Sequence, residues 1–215
     1  MGLQPFNWSV VIRGCWNLAI LTPGRISKKI FELPEKTQMK LSVPIDGISP
    51  HLVEHPSKGI VFSAAYDRVE IKLTQMNYDA LQDAMVAGVN VLTWLPETPV
   101  SAAGFNINFQ TEKPDVDMIK MYQNPTIDGQ LSQVGSISDW TMARSFGFKG
   151  GNFNLAITGN PKIFKLLCNF HRESNENKAL VEWLKIPVSD IKAKVVELFE
   201  KLNVDIEETK DEHVE

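Results

Sequence analysis

The chain has 215 residues, of which 43% are hydrophobic and 22% are charged, a composition typical of soluble globular proteins. Its longest apolar stretches fall far short of the roughly 20 residues that a membrane-spanning helix needs, and its first residues lack the pattern of a signal peptide. Two cysteines, Cys15 and Cys168, are too few for a disulfide framework, so we expect a cytoplasmic protein without membrane contact.

The formal net charge of −4 is concentrated at the end of the chain. Residues 205–215 carry six acids and one lysine, which leaves about +1 for residues 1–204. This acidic tail is polar and has no hydrophobic period, so we predict that it is disordered and that the folded part is close to neutral.

The predicted elements follow the same order in two halves of the chain. In each half a strand precedes a short helix, three further strands and a long helix. The first short helix begins after Thr22, with Pro23 at its first position. The predicted strands cover residues 6–13, 37–43, 59–64, 68–74, 102–110, 138–148, 153–158 and 163–170, the second short helix lies within residues 113–122, and the long helices lie within residues 77–95 and 188–202.

The repeated order predicts an α+β fold with internal pseudo-twofold symmetry. Each long helix has one apolar stripe, so both are expected on one face of a broad antiparallel sheet of about eight strands. We assign residues 1–95 to the first half, 96–204 to a second half packed into the same domain, and 205–215 to the disordered tail. By analogy of layout alone, the order of elements resembles the saddle of the TATA-binding proteins.

The alternation of residues along each strand sorts the side chains into two faces of the sheet. One face is apolar, with Phe6, Trp8, Val10 and Ile12 predicted to meet the helices. The other face is rich in amides, although asparagine is a poor strand former. It is either an ordinary solvated face or a ligand platform, and in the second case the candidate binding residues are Asn7, Arg13, Arg68, Asn106, Asn108, Asn154, Asn169 and His171.

The segment HLVEH matches the inverted zincin pattern H-x-x-E-H, with His51, Glu54 and His55 as candidate metal ligands. That chemistry needs both histidines on one face of a helix. Because Pro50 and Pro56 bracket the segment and would end a helix at once, we interpret it as an exposed loop and expect no metal and no cofactor.

The segment KLLCNFHRES brings Cys168 within three positions of His171, which raises the question of a thiolate–imidazole pair. In a strand an odd separation places two side chains on opposite faces of the sheet. We therefore predict that Cys168 is an inert core residue and that His171 lies on the amide-rich face.

Several segments together resemble an uncharacterised group of bacterial proteins: FNWSVVIRGCWNLAILTP, YDRVEIKL and above all LPETPVSAAGFNINF. The group is marked by an L-P-x-T-P-V-x-A-x-G-x-N segment, which here covers residues 95–106. This resemblance implies no activity, ligand or catalytic residue. Physically, Gly104 would permit a bulge or a close approach of neighbouring backbone, and Asn106 would project from the strand.

The chain contains no G-x-S-x-G, no phosphate-binding G-x-x-x-x-G-K-[ST], no dinucleotide-binding G-x-G-x-x-G after a strand and no C-x-x-C. We therefore expect a non-catalytic protein that binds a protein partner, or a second copy of itself, through the open polar face. One alternative is an enzyme whose site combines Arg13, Asn154, Asn169 and His171. The other is nucleic-acid binding on the same face, which is not favoured because that face lacks aromatic residues among basic ones.

Overall fold

A computed structural model of the chain describes residues 2–45 and 50–205. The acidic tail from residue 206 onward, for which we predict disorder, lies outside the described residues. The strands are β1 (Gln4–Gly14), β2 (Lys40–Ser42), β3 (Leu52–Glu54), β4 (Ile60–Ala65), β5 (Arg68–Leu73), β6 (Val100–Thr111), β7 (Trp140–Phe148), β8 (Gly151–Asn160) and β9 (Ile163–Glu173). The helices are α1 (Pro23–Arg25), which continues as a π-helical segment (Ile26–Ile30), α2 (Tyr78–Trp94), α3 (Val116–Tyr122), α4 (Pro125–Leu131), α5 (Asn177–Leu184) and α6 (Val188–Leu202).

The strands form one antiparallel sheet in the order β2-β3-β4-β5-β1-β6-β9-β8-β7. The first strands of the two halves, β1 and β6, pair at the centre, where Val10 lies opposite Phe105. In the first half, β5 lies next to β1 and β4 lies next to β5. In the second half, β9 lies next to β6 and β8 lies next to β9, so the two halves have the same strand order outward from the centre. The α+β class, the antiparallel sheet and the pseudo-symmetric order of the two halves are thus confirmed.

Both long helices pack on the apolar face of the sheet. Helix α2 begins after Asn77, whose side chain accepts a hydrogen bond from the backbone N–H of Ala80 (2.8 Å) and so caps the helix. Its Tyr78 ring makes an edge contact with Trp8, with ring centroids 5.1 Å apart. In α6, the buried Phe199 contacts Phe109 of β6 in the same manner, at 4.8 Å. The hydrophobic face of each helix is therefore buried against alternate residues of the central strands.

Within residues 2–45 and 50–205 the sheet has nine strands, one more than the eight segments predicted from the sequence. The additional strand, Leu52–Glu54, lies in the segment interpreted as a loop. Three residues between prolines are too few to show an alternating pattern, and pairing with β2 and β4 holds them extended. Helices α4 and α5 were also not predicted, and α4 buries none of its residues, so it lacks the apolar stripe that marks the long helices.

The prediction that Phe6 faces the helices is wrong. Between Phe6 and Ser9 the pairing of β1 with β6 shifts by one residue, and Asn7 in this bulge has a φ of 50°. The extra residue reverses the alternation, so Phe6 lies opposite Asn108 and shares its face. The Lys165 ammonium stands 5.9 Å above the Phe6 ring on that face.

Among the described residues, no helix combines the length and the apolar character needed to cross a membrane.

Candidate functional site

The open face is the sheet face opposite the helices. Described residues line three depressions on it, all from strands except Pro50 in one of them. The depression with the largest volume of the three, about 570 Å³, extends from β6 to β7 and is here called the ladder depression. The second, of about 270 Å³, surrounds His171 and is called the His171 depression. The third, of about 310 Å³, lies over β3, β4 and β5 and includes Arg68. No helical residue lines any of the three, so described helices leave this part of the sheet uncovered.

Five polar side chains on the open face form a hydrogen-bonded row, here called the amide ladder. They occupy matching register positions on five adjacent strands, β7, β8, β9, β6 and β1. The Ser145 hydroxyl donates to Oδ1 of Asn154 (2.7 Å), and Nδ2 of Asn154 donates to Oδ1 of Asn169 (3.3 Å). Nδ2 of Asn169 donates to Oδ1 of Asn106 (2.8 Å), and Nδ2 of Asn106 donates to the buried Ser9 hydroxyl (3.1 Å). Each asparagine is therefore held in one orientation by the strands on both sides.

The amide ladder also orients the imidazole of His171. Nδ2 of Asn154 lies 3.0 Å from Nδ1 of His171. The amide nitrogen of Asn154 can only donate a hydrogen bond, so Nδ1 of His171 accepts it. The neutral ring therefore carries its proton on Nε2. Nε2 lies 3.8 Å from a carboxylate oxygen of Glu173, too far for a hydrogen bond.

The His171 depression exists because its floor is built from small residues. Gly104 lies opposite His171 in β9 and opposite Val11 in β1, and Ala102 follows on the same face. A Cβ atom on Gly104 would lie 2.4 Å from the carbonyl oxygen of Phe170 and 2.9 Å from Cβ of His171. The predicted close approach at Gly104 is thus confirmed, and the alternate residues of the segment A-x-G-x-N (102–106) all lie on the open face.

Arg13 and Arg68 occupy directly opposed positions of β1 and β5. Arg13 lines the His171 depression and is exposed, whereas Arg68 lines the third depression. Arg68 has a carboxylate oxygen of Asp67 3.6 Å away. For Arg13 no ion pair occurs within the described residues.

Two of the candidate binding residues stabilise the β1 bulge. Asn108 is almost fully buried, and its Nδ2 donates to the carbonyl oxygen of Asn7 (3.1 Å). The indole of Trp8 in turn donates to the backbone carbonyl of Asn108 (2.9 Å). The Asn108 side chain and the Asn7 backbone therefore fix the chain path, and the Asn7 side chain is exposed. Asn106, Asn154, Asn169 and His171 form one connected cluster.

The residues of HLVEH are kept apart. Extended backbone places His51 and His55 about 13 Å apart along the chain, since a strand advances by about 3.3 Å per residue. The Glu54 carboxylate lies in a salt bridge with Lys40 (2.9 Å). His55 is buried against Phe31, and desolvation by burial lowers its pKa. In residues 2–45 and 50–205 no three His, Cys, Asp or Glu side chains are placed to hold a metal ion.

Cys168 and His171 lie on opposite faces of β9, as the odd separation predicted. Cys168 is fully buried in the core, and desolvation raises the pKa of its thiol. A neutral buried thiol is a poor nucleophile.

Sequence reasoning missed three members of the site. Ser9 and Ser145 close the two ends of the amide ladder, and Glu173 stands beside His171. Alternation assigns Ser9 and Ser145 to the open face, but only the pairing of strands distant in sequence brings them into one row.

The comparisons with known proteins do not place the chain in a family. No protein-family model matches it, and no curated protein matches it. Among solved structures it is similar to the TBP of Methanococcus jannaschii, at 9% sequence identity and a TM-score of 0.31, over 94% of this chain and 99% of that chain. The TATA-binding proteins are also the family whose layout the order of elements resembles. A likeness with a TM-score of 0.31 carries no argument about function.

Proposed function

We propose that the protein is a non-catalytic binding protein and that a partner polypeptide docks on the open face of its sheet. The observation that carries the proposal is the amide ladder, which crosses five strands on a face that described helices leave uncovered. Three asparagines in strand interiors disfavour the strands that contain them, and solvation alone does not require that residue type there. A role in recognition supplies a reason for their presence.

The shape of the open face supports a polypeptide as the ligand. Its depressions are partly open to solvent, whereas small-molecule sites bury most of their ligand in an enclosed cleft. The ladder depression and the His171 depression both include Asn169, so they form a continuous surface. A docked chain could follow this surface and form hydrogen bonds with amide groups held in place before binding.

The charges of the open face favour a polypeptide over a nucleic acid. Two of its lysines already have acidic neighbours: Lys40 contacts Glu54 at 2.9 Å, and Lys72 contacts Glu70 at 3.6 Å. Binding to duplex DNA rests on several cations that neutralise phosphates. Arg13 and Lys165 form no ion pair among the described residues, but they pair with opposite ends of β6, at Ala102 and Gln110, and so do not form a row of cations.

An enzyme centred on His171 is the second candidate. It is favoured by one observation, the imidazole whose Nδ1 is held by Asn154 and whose Nε2 lies 3.8 Å from a carboxylate oxygen of Glu173. Such an oriented imidazole is a component of general acid–base catalysis. Screening the protein with ester and phosphoester substrates tests this candidate, which requires a turnover that His171→Ala abolishes.

The binding proposal is tested with two matched variants of the full chain. Ala143→Arg places a bulky cation in the ladder depression, and Ala193→Arg makes the same change at an exposed position of α6. Tagged proteins are recovered from cells of the source organism, and co-purifying polypeptides are quantified by mass spectrometry. We expect a polypeptide that is retained by the unmodified chain and by Ala193→Arg and lost with Ala143→Arg. Loss with the helix-side variant instead, or recovery of nucleic acid alone, would contradict the proposal.

A further inference from the structure

Resting on this proposed function, we propose that the His171 depression binds a carboxylate and that the partner supplies it as a glutamate or aspartate side chain. The depression offers two separate donors, the guanidinium of Arg13 and Nε2 of His171. It therefore specifies the chemistry of one residue of the docked chain.

Arg13 carries a positive charge that no described acid neutralises through an ion pair. Like charges directly opposite each other on neighbouring strands are destabilising, and Arg13 faces Arg68 in this way. Asp67 lies near Arg68, but no described acid forms an ion pair with Arg13. A carboxylate bound at Arg13 would relieve the repulsion and could accept two parallel hydrogen bonds from the planar guanidinium.

His171 presents its second ring nitrogen, Nε2, as a donor. Asn154 donates to Nδ1, so Nε2 is the donor and faces the depression where Glu173 stands. The Glu173 carboxylate is 82% exposed and remains 3.8 Å from Nε2. It shows that a carboxylate is accommodated beside this donor, while the donor itself forms no hydrogen bond with it.

Small residues leave the floor of the depression accessible. Gly104 and Ala102 leave the space between β1 and β9 free, so a carboxylate can approach Arg13 and His171 together. Glu173, which lines the depression across Ala102 from Arg13, disfavours a ligand of higher negative charge, such as phosphate, through repulsion between like charges. A monoanionic carboxylate is therefore the better match.

The proposal is tested by NMR titration of the full chain with a decaglutamate peptide at constant ionic strength, following the Arg13 side-chain N–H and the His171 imidazole. We expect Arg13→Gln to weaken binding about three- to fivefold, the upper part of the range for one exposed charge pair. Arg13→Lys, which keeps the charge but lacks the planar fork, should lie in between. Lys178→Gln removes an exposed cation from α5 and should change the affinity less than twofold.

Three results would overturn the carboxylate site. Equal weakening by Arg13→Gln and Lys178→Gln would mean that only overall charge matters. Tighter binding of inorganic phosphate than of the peptide would assign a different ligand. A fivefold gain in affinity when the acids of residues 206–215 are replaced by amides would mean that the chain's own tail, and not a partner, occupies the site.

The same variants separate this inference from the proposed function. If Ala143→Arg loses the co-purifying polypeptide and Arg13→Gln retains it fully, the open face binds a partner but the carboxylate site is wrong. If neither variant loses a polypeptide, both proposals fail.

Discussion

Replacing Gly104 with alanine tests how closely β6 and β9 approach at the floor of the His171 depression. The added Cβ would lie 2.4 Å from the carbonyl oxygen of Phe170, 2.9 Å from Cβ of His171 and 3.1 Å from its Cα. These neighbours are backbone or the first side-chain atom of β9, so none of them can rotate away. The two strands must therefore separate, or the surrounding core must shift.

The size of the effect follows from this steric conflict. Overpacking a well-packed site by one methyl group costs about 1–3 kcal/mol of the free energy of unfolding. For a chain of this length, each kcal/mol corresponds to about 2–4 °C, so Tm should fall by about 2–12 °C. Calorimetry and urea denaturation of the purified variant measure both quantities.

Gly147→Ala is the matched control. A Cβ on Gly147, in the edge strand β7, would have no neighbour within 4 Å, so its unfolding free energy should change by less than about 0.5 kcal/mol. If both variants unfold at the same temperature as the unmodified chain, β6 and β9 are not in close contact at Gly104 and the reasoning is refuted.

Three further predictions concern the amide ladder, the two thiols and the buried histidine. Asn169→Ala leaves an acceptor on Asn106 and a donor on Asn154 without their partners, so urea denaturation should show that the free energy of unfolding falls by about 1–3 kcal/mol. Asn152→Ala, on the same face but outside the ladder, should leave it unchanged. Equal losses in the two variants would contradict the ladder. A thiol reagent should modify the exposed Cys15 in the native protein and reach the buried Cys168 only after unfolding, and equally fast modification of both would refute the core position of Cys168. Burial lowers the pKa of His55 from its usual 6.5, so the unfolded chain binds the proton before the folded chain does as the pH falls. The contribution of His55 to the free energy of unfolding is therefore complete above pH 6.5 and is lost below it. His55→Phe should flatten the decline in unfolding free energy below that pH, and an unchanged slope would show that other groups cause it.

The alternation of residues along a single strand predicts which side chains face the core and which face solvent. Alternation separates Cys168 from His171 and places Asn106, Asn154 and Asn169 on one side of the sheet, because successive side chains of a strand point in opposite directions. The same rule fails at Phe6, since the bulge at Asn7 inserts one residue into the alternation. No local feature of FNWSV announces that insertion, which is fixed by pairing with β6, about 100 residues further along the chain.

The sequence by itself determined the class of fold, the order of elements in the two halves and the polar character of one sheet face. These depend on local periodicity, which neighbouring residues carry. Only the tertiary structure decided that Asn106, Asn154 and Asn169 share one row with Ser9 and Ser145, that Arg13 stands opposite Arg68, and that Gly104 opens a depression beside His171. Strand register sets these contacts, and register is a property of pairs of strands that no single segment contains.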